Sequence, residues 1–497
     1  MVYNRKEHSS RLKKNYRDEN MALPLNKTKI VCTIGPTSKA PEVLEKMIQA
    51  GMNIARINFS HGDFSEHKEI IASIREVSAR LGIDIAILAD LPGPKIRIGN
   101  LKEDPVELRT GDNFSLTIDE IQGDRHRVSV NLPSLPQAVK AGDRIFLNDG
   151  LIELEVVDIT GHDVNCVIRV GAELRSRKGL NLPGISLGIG AFTDHDYECL
   201  RFALEQQVDA VSQSFVESDS DIAALRHAAS VLGASPFVIA KIERCRALDR
   251  IDEILVAADG IMIARGDLGV ETPIERIALV QKEIMAKANL LGKPVITATQ
   301  MLESMTGNRR PTRAESTDVA NAILDGTDCV MLSAESATGD FPVDAVATLA
   351  RIASATEAYR GGRPIGHFLA MPEIDQKLNI RDLLAVSVKN AVEHCQPAAI
   401  FVPTRSGASA RSMSRFKLPV WIVAISPLQT TCRRLHFSYG VIPQHVDEDP
   451  DDWRSYTGDW LTRNDIDGKL VVLTQGPSAK HPETNNRMEI VDLTRIF

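Results

Sequence analysis

The chain has no apolar run approaching the roughly 20 residues that a membrane-spanning helix requires, so no membrane partner is expected. Its first 27 residues are basic and polar ("NRKEHSSRLKKNYRDEN") and lack the apolar segment of a secretory signal. Glu7, Asp18 and Glu19 also argue against an acid-poor transit peptide; residues 1–27 read as a flexible extension, with Met21 as an alternative start. Paired cysteines are missing too. The seven present (Cys32, Cys166, Cys199, Cys245, Cys329, Cys395, Cys432) are odd in number and dispersed, with no CxxC, which fits reduced thiols in a cytoplasmic protein. Positive charge is not in excess: the net charge is -8, so a nucleic-acid partner is not expected. Nor is there a Walker A loop, a GxGxxG, an HExxH or a GxSxG, and the chemistries that depend on those motifs lose support.

What is present is ample core material. With 497 residues, 43% of them hydrophobic, the chain is too long for one core and should split into about two to four domains. Short β-rich runs recur at residues 29–35, 53–60, 85–91, 210–216, 237–243, 260–266, 294–300 and 329–335. Helical patterns such as "APEVLEKMIQAG" and "PIERIALVQKEIMAKANLLG" lie between most of them. Strand, helix, strand at this rhythm implies a parallel sheet with right-handed crossovers. Eight such runs predict a (β/α)8 TIM barrel, with an open doubly wound sheet as the alternative.

The rhythm is interrupted between the third and fourth runs. Segments such as "HRVSVNL", "DRIFLNDGLIELEVVDI" and "VNCVIRVGAEL" alternate with turns at Thr110-Gly111, Ala141-Gly142, Asn148-Asp149-Gly150 and Thr160-Gly161-His162. That texture predicts a small inserted antiparallel β domain, a β barrel entered and left through hinges at Pro92-Gly93-Pro94 and Leu182-Pro183-Gly184. A third unit, an open α/β domain, begins near residue 361. The expected division is 1–27 extension, 28–92 with 191–360 barrel, 93–190 inserted lid and 361–497 C-terminal domain. Asp447 to Asp452 reads as a solvated acidic loop.

Functional side chains of a (β/α)8 barrel cluster at the C-terminal ends of its strands. In "NIARINFS" a period of two puts Arg56, Asn58 and Ser60 on one face, with His61 in the following loop. "AKIE" offers Lys241 and Glu243, "IMIARGDLG" places Asp267 behind Gly266, and "ITATQ" offers Thr299. A lone "KIE" is more often a surface or salt-bridge pair than a site. Polar groups at most strand ends are harder to dismiss. Two acids suit a hard divalent cation such as Mg2+, with Arg56 and Lys241 beside it, the set a transferring phosphoryl group requires.

The motifs "TKIVCTIGP", "ARINFSHG", "AKIE", "IMIARGDLGVE", "ITATQMLESM" and "RPTRAESTDVANAILDGTDCVMLSAES", in this order, resemble the pyruvate kinase family. The resemblance runs from about Thr28 to the C-terminus. It implies phosphoryl transfer from phosphoenolpyruvate to ADP, giving pyruvate and ATP, with Mg2+ (or Mn2+) as cofactor. It implies Lys241 and Arg56 at the phosphoryl group and Glu243 and Asp267 as metal ligands. The substrate carboxylate would be seated by Gly266, Asp267 and Thr299, with Thr299 near the proton-delivery path. His61, Arg97 and Lys178 would lie at the nucleotide. A homotetramer is implied by the resemblance alone. Two other classes stand as alternatives: a Mg2+-dependent lyase on a similar barrel, which has no need of Lys241 or a lid, and a silent binding protein, which is expected to lack one of Lys241, Glu243 and Asp267, all present here.

Family members that require K+ commonly read Asp-Thr-Lys-Gly-Pro-Glu-Ile-Arg-Thr where this chain reads "DLPGPKIRI". The K+ positions correspond here to Asn58, Ser60, Asp90 and the Leu91 carbonyl, and Lys95 replaces the glutamate. The pattern resembles the K+-independent branch: a tethered ammonium supplies the charge of the ion, with Asp90 as its counter-charge. In the C-terminal domain, Thr404, Arg405, Ser406, Gly407 and Ser409 join a strand to a helix, where free backbone N–H groups could cup an anion. The resemblance makes this loop, with one at 474–486, an allosteric phosphate site. Ala408 stands where relatives often carry Arg, so a sugar monophosphate, a nucleoside monophosphate and a sugar bisphosphate all remain open as effector.

Overall fold

The computed structural model describes residues 23–185, 188–360, 379–476 and 485–494. Its central unit is a closed barrel of eight parallel strands: β1 (Lys29–Thr33), β2 (Ile54–Asn58), β3 (Ala86–Leu91), β4 (Ala210–Gln213), β5 (Phe237–Ile242), β6 (Gly260–Ala264), β7 (Val295–Ala298) and β8 (Cys329–Leu332). Each strand pairs with the next, and β8 returns to β1 through Lys29 with Cys329. The barrel is the expected one; the open sheet is excluded.

Alternation along the strands sets the interior. In β5, Phe237 and Ile239 face the lumen cluster while Val238, Ala240 and Ile242 pack outward against the helices. The same period puts Ile54 of β2 and Ala86 and Leu88 of β3 inside. Continue each inward row by one step and Lys241, Arg56 and Asp90 stand at the upper end of an apolar plug. The crossover helices hold by their ends as well as their faces. Helix Phe64–Leu81 starts on Asp63, whose carboxylate accepts from Glu66 N at 2.9 Å, and stops at Gly82 with φ 65°.

The inserted unit has a six-stranded sheet in the order Leu180–Asn181, Arg144–Leu147, Ile152–Thr160, Asp163–Val170, Asn113–Thr117, Arg127–Ser129. Single pairings of Arg97 with Gly179 and Ile98 with Val130 run from one edge of it to the other. Its buried side chains, among them Phe114, Leu116, Ile145, Leu154 and Val164, form a separate core. The sequence reading of an all-antiparallel domain fails at one pair: Asn113–Thr117 and Arg127–Ser129 run parallel. The chain between them is not a tight hairpin, and it passes Leu101 at Gly123 before entering the sheet in the same direction.

The C-terminal sheet has the order Val441–His445, Trp421–Ser426, Ala399–Pro403, Leu470–Gln475, Arg487–Asp492, with only the last strand antiparallel. Residues 361–378 and 477–484, which include most of the second expected effector loop, lie outside the described residues. This domain closes the barrel floor. Phe437 joins the lumen cluster and stacks on Phe237 with centroids 5.6 Å apart. Beside it, Lys417 Nζ lies 2.7 Å from Asp328 Oδ1, and the same carboxylate accepts from Tyr439 N at 2.9 Å and Val295 N at 3.0 Å.

Both partners of that ion pair are buried, and removing one leaves an uncompensated charge. Lys417→Met should therefore lower unfolding stability by about 3–5 kcal/mol in denaturant titrations. A change below about 1 kcal/mol would show that the domain joint does not depend on the pair.

Candidate active site

Asp90, 1% exposed, is the centre of the barrel mouth. Arg56 reaches it through Nε at 2.9 Å and also through Nη2, while Arg56 Nη1 donates to Thr33 Oγ1 at 2.8 Å. Ser212 Oγ donates to Asp90 Oδ1 at 2.7 Å, and Lys241 Nζ lies 3.4 Å from Oδ2. Burial alone would raise the Asp90 carboxyl, but Lys241, Arg56 and the Ser212 bond outweigh it and hold it below its ordinary value. Burial likewise pulls Lys241 down, and the charges of Asp90 and Glu243 more than restore it, so its ammonium is held above the usual lysine value.

Lys241 also lies 2.9 Å from Glu243 Oε1, and Glu243 Oε2 accepts from Phe215 N at 2.7 Å. Asp267 sits in the first turn of helix Arg265–Glu271, directly beyond β6. Burial, and then the neighbouring charge of Glu243, raise its carboxyl to about 6, with Lys241 and Lys95 acting the other way. Two carboxylates thus crowd one buried spot. Among the described residues no group of three or more His, Cys, Asp or Glu gathers as a metal site. Two hard oxygen ligands fit Mg2+, which usually takes one or two protein carboxylates and leaves its other positions to water and substrate oxygens.

Thr299 and Gln300 leave β7 with φ 67° and 54°, both in the left-handed region. Arg265 holds this corner by donating from Nη2 to Thr299 O at 2.8 Å. Gly266 N donates to Thr299 Oγ1 at 2.7 Å, so in the free chain the hydroxyl and amide expected to seat a carboxylate are bonded to one another. The lid reaches the same region. Gly93, at the first hinge, has φ 64° and donates its N–H to Asp196 Oδ1 at 2.9 Å. At the lid tip, the charge of Asp149 adds to the upward pressure on Asp267, and a Cβ at Gly150 would lie 3.4 Å from Val270.

The expected residues mostly converge. Burial first, and then the charges of Lys95, Arg97 and Arg56, hold the His61 imidazole below its ordinary value. Arg97 Nη1 donates to Arg177 O at 2.9 Å, and Ile98 N donates to Lys178 O at 3.0 Å, so the segments that carry Arg97 and Lys178 run side by side at the base of the inserted domain. Asn58 Oδ1 accepts from Ser60 N at 3.2 Å; Ser60 has left the strand and lies in the turn. One expectation is corrected. The counter-charges of Asp90 are Lys241 and Arg56, whereas the acids acting on Lys95 are Asp267 and Glu243. Asp90 is held inside the barrel wall by Arg56, Ser212 and Lys241.

At the C-terminal loop, Gly407 N donates to Thr404 Oγ1 at 3.0 Å and Ala408 N to Ser406 Oγ at 3.4 Å. Two N–H groups expected to be free are therefore already capped, and the helix that follows, Ala408–Ser414, is short. Sequence reading missed Ser212 and Ser214, although both continue the inward alternation of β4 and so carried a signal. Arg265 and Asp149 carried none, since their roles come from a helix start and a lid tip.

A lidded (β/α)8 barrel with a buried lysine and a carboxylate pair at its mouth defines a phosphotransferase-type site. Comparison with known proteins agrees. Residues 25–346 match the family described as pyruvate kinase, barrel domain, and residues 382–491 match pyruvate kinase, alpha/beta domain. The chain is 49% identical over 429 residues to a pyruvate kinase of Thermococcus litoralis, covering 86% of this chain and 90% of that one. It is 41% identical to a pyruvate kinase of Geobacillus stearothermophilus over 93% of this chain and 80% of the relative. A crystal structure of a pyruvate kinase from Cryptosporidium parvum superposes with a TM-score of 0.88 at 33% identity, over 94% of this chain and 96% of that one. The chain belongs to the pyruvate kinase family and is a phosphotransferase.

The raised Asp267 carboxyl has a consequence for stability. An acid whose folded value, about 6, lies above its ordinary 3.8 binds more protons folded than unfolded between those values. The metal-free protein should therefore lose stability as pH rises from about 4 to 6, by up to ~1.4 kcal/mol per pH unit from this group. Asp267→Asn should flatten that slope. An unchanged slope in the variant would show that Asp267 is not the group whose raised carboxyl sets it.

Proposed function

We propose that the chain transfers the phosphoryl group of phosphoenolpyruvate to ADP, with Lys241 and Arg56 neutralising the moving phosphoryl oxygens. The observation carrying this reading is the buried Arg56–Asp90–Lys241–Glu243 array, with Asp267 opposite, at the mouth of the barrel. Phosphoryl transfer asks mainly for positioning and charge neutralisation, and this array supplies both. Glu243 and Asp267 would hold Mg2+, or Mn2+, which when bound polarises the phosphoryl and enolate oxygens. Thr299 and the amides of Gly266 and Asp267 seat the carboxylate once Gly266 N and Thr299 Oγ1 exchange their mutual bond for substrate. Thr299 stands beside the site where the enolate is protonated. Arg97, Lys178 and His61 hold the nucleotide phosphates, and closure about Gly93 excludes water, so that ADP rather than water is the acceptor.

The proposed enzyme needs no K+. Two of the four candidate monovalent-ion ligands already have side-chain partners: Asp90 has Arg56, Ser212 and Lys241, and Leu91 O accepts from Ser214 Oγ at 2.7 Å. Lys95 brings a tethered positive charge to the same mouth, now through Asp267 and Glu243 rather than Asp90. We further read the enzyme as a cytoplasmic homotetramer, regulated by a phosphorylated metabolite at Thr404, Arg405, Ser406, Gly407 and Ser409.

A coupled assay of pyruvate formation tests this reading. Full activity is expected with Mg2+ in buffer free of K+ and NH4+, and Lys95→Glu should lose roughly 100-fold and regain part of it with K+. A wild type that is inert until K+ is added would overturn K+ independence; no pyruvate under any condition would overturn the activity.

A further inference from the structure

The three N–H groups of Lys241 are all engaged in the free chain: to Asp90 Oδ2 at 3.4 Å, to Glu243 near 2.9 Å and to Ser214 Oγ at 2.7 Å. The first two partners are carboxylates with other duties, one shared with Arg56 and the other offered to a metal. Ser214 differs. It is neutral, only 3% exposed, and its single proton goes to Leu91 O at 2.7 Å. A hydroxyl whose proton is committed to a carbonyl must turn a lone pair to its other neighbour, so it can only accept from Lys241.

The next residue is part of the same device. Phe215 has φ 58°, outside the range a phenylalanine adopts without support, and its N–H donates to Glu243 Oε2 at 2.7 Å. Its ring lies under Arg244, 5.4 Å from the guanidinium, and a Cβ on Gly93 would come within 2.9 Å of it. Two consecutive residues thus hold the lysine and one metal acid, in a turn wedged against the lid hinge.

We infer that Ser214 is a positioning residue for phosphoryl transfer, the fixed partner that keeps Lys241 Nζ aimed at the mouth when its bonds to Asp90 or Glu243 are exchanged for phosphoryl oxygens. The inference rests on the proposed role of Lys241. Small errors of aim at a reacting group are costly in rate while ground-state binding is spared.

Ser214→Ala should lower kcat roughly 10- to 100-fold, with KM for phosphoenolpyruvate changed less than about threefold. Ser214→Cys, nearly isosteric but a weak hydrogen-bonding group, should fold and show a similar loss, and Ser214→Thr should recover most of the rate. In metal-free protein without substrate, labelling of Lys241 by an amine reagent, read by peptide mapping, should quicken several-fold in Ser214→Ala. In a Lys241→Met background, Ser214→Ala should cost nothing further. A kcat within twofold of wild type in both Ser214→Ala and Ser214→Cys, or an equal loss in the Lys241→Met background, would overturn the inference. A fully active Lys241→Met would instead overturn the reading of Lys241 itself, and the inference with it.

Discussion

The buried carboxylate of Asp90 is the constraint on which the mouth of this barrel depends. A charge taken out of water is tolerated only when it is paired and its remaining lone pairs are bonded, and here two cations and a hydroxyl meet that demand. The arrangement works in both directions. Asp90 allows Arg56 and Lys241, nearly buried themselves, to stay charged side by side at the top of an apolar lumen. In the proposed reaction these two cations are the groups that meet the phosphoryl oxygens.

Everything around that array serves to keep it dry and aligned. Below it, the inward rows of the strands fill the lumen, and Phe437 seals the floor. Beside it, the Ser214–Phe215 turn and the Arg265-held corner at Thr299 fix side chains through backbone conformations that are unfavourable in isolation. Above it, the lid enters through Gly93, whose positive φ and contact with Phe215 leave no room for a side chain. The entry to the inserted domain therefore packs directly on the turn that holds Lys241 and Glu243. The C-terminal domain touches the opposite end of the same barrel through Asp328 and Lys417, far from the chemistry but on the same rigid sheet.

Much of this was legible in the sequence because strands write their geometry with a period of two. Apolar runs marked eight strands, and the polar residue one step beyond each inward row marked the site: Arg56 after Ile54, Lys241 after Ile239. What could not be read was pairing across distance. Nothing local tells that Arg127–Ser129 lies parallel to Asn113–Thr117, or that Asp90 takes Arg56 and Lys241 as its partners. Ser214 was legible in its alternation but not in its setting. It sits in the run 210–216 that reads as continuous strand, whereas the strand stops at Gln213 and the turn that matters begins there. The loop at 404–407 shows the converse: its small residues suggested free amides, and its own hydroxyls take two of them.

In the proposed reaction a single buried negative charge aims two cations at the transferring group. Single-turnover phosphoryl transfer in Asp90→Asn measures this most directly, because the variant keeps the shape of the side chain while removing its charge and one of its two acceptor oxygens. The expected result is a folded protein whose transfer step is slowed by roughly 100-fold or more. A transfer rate within a few-fold of wild type would contradict it.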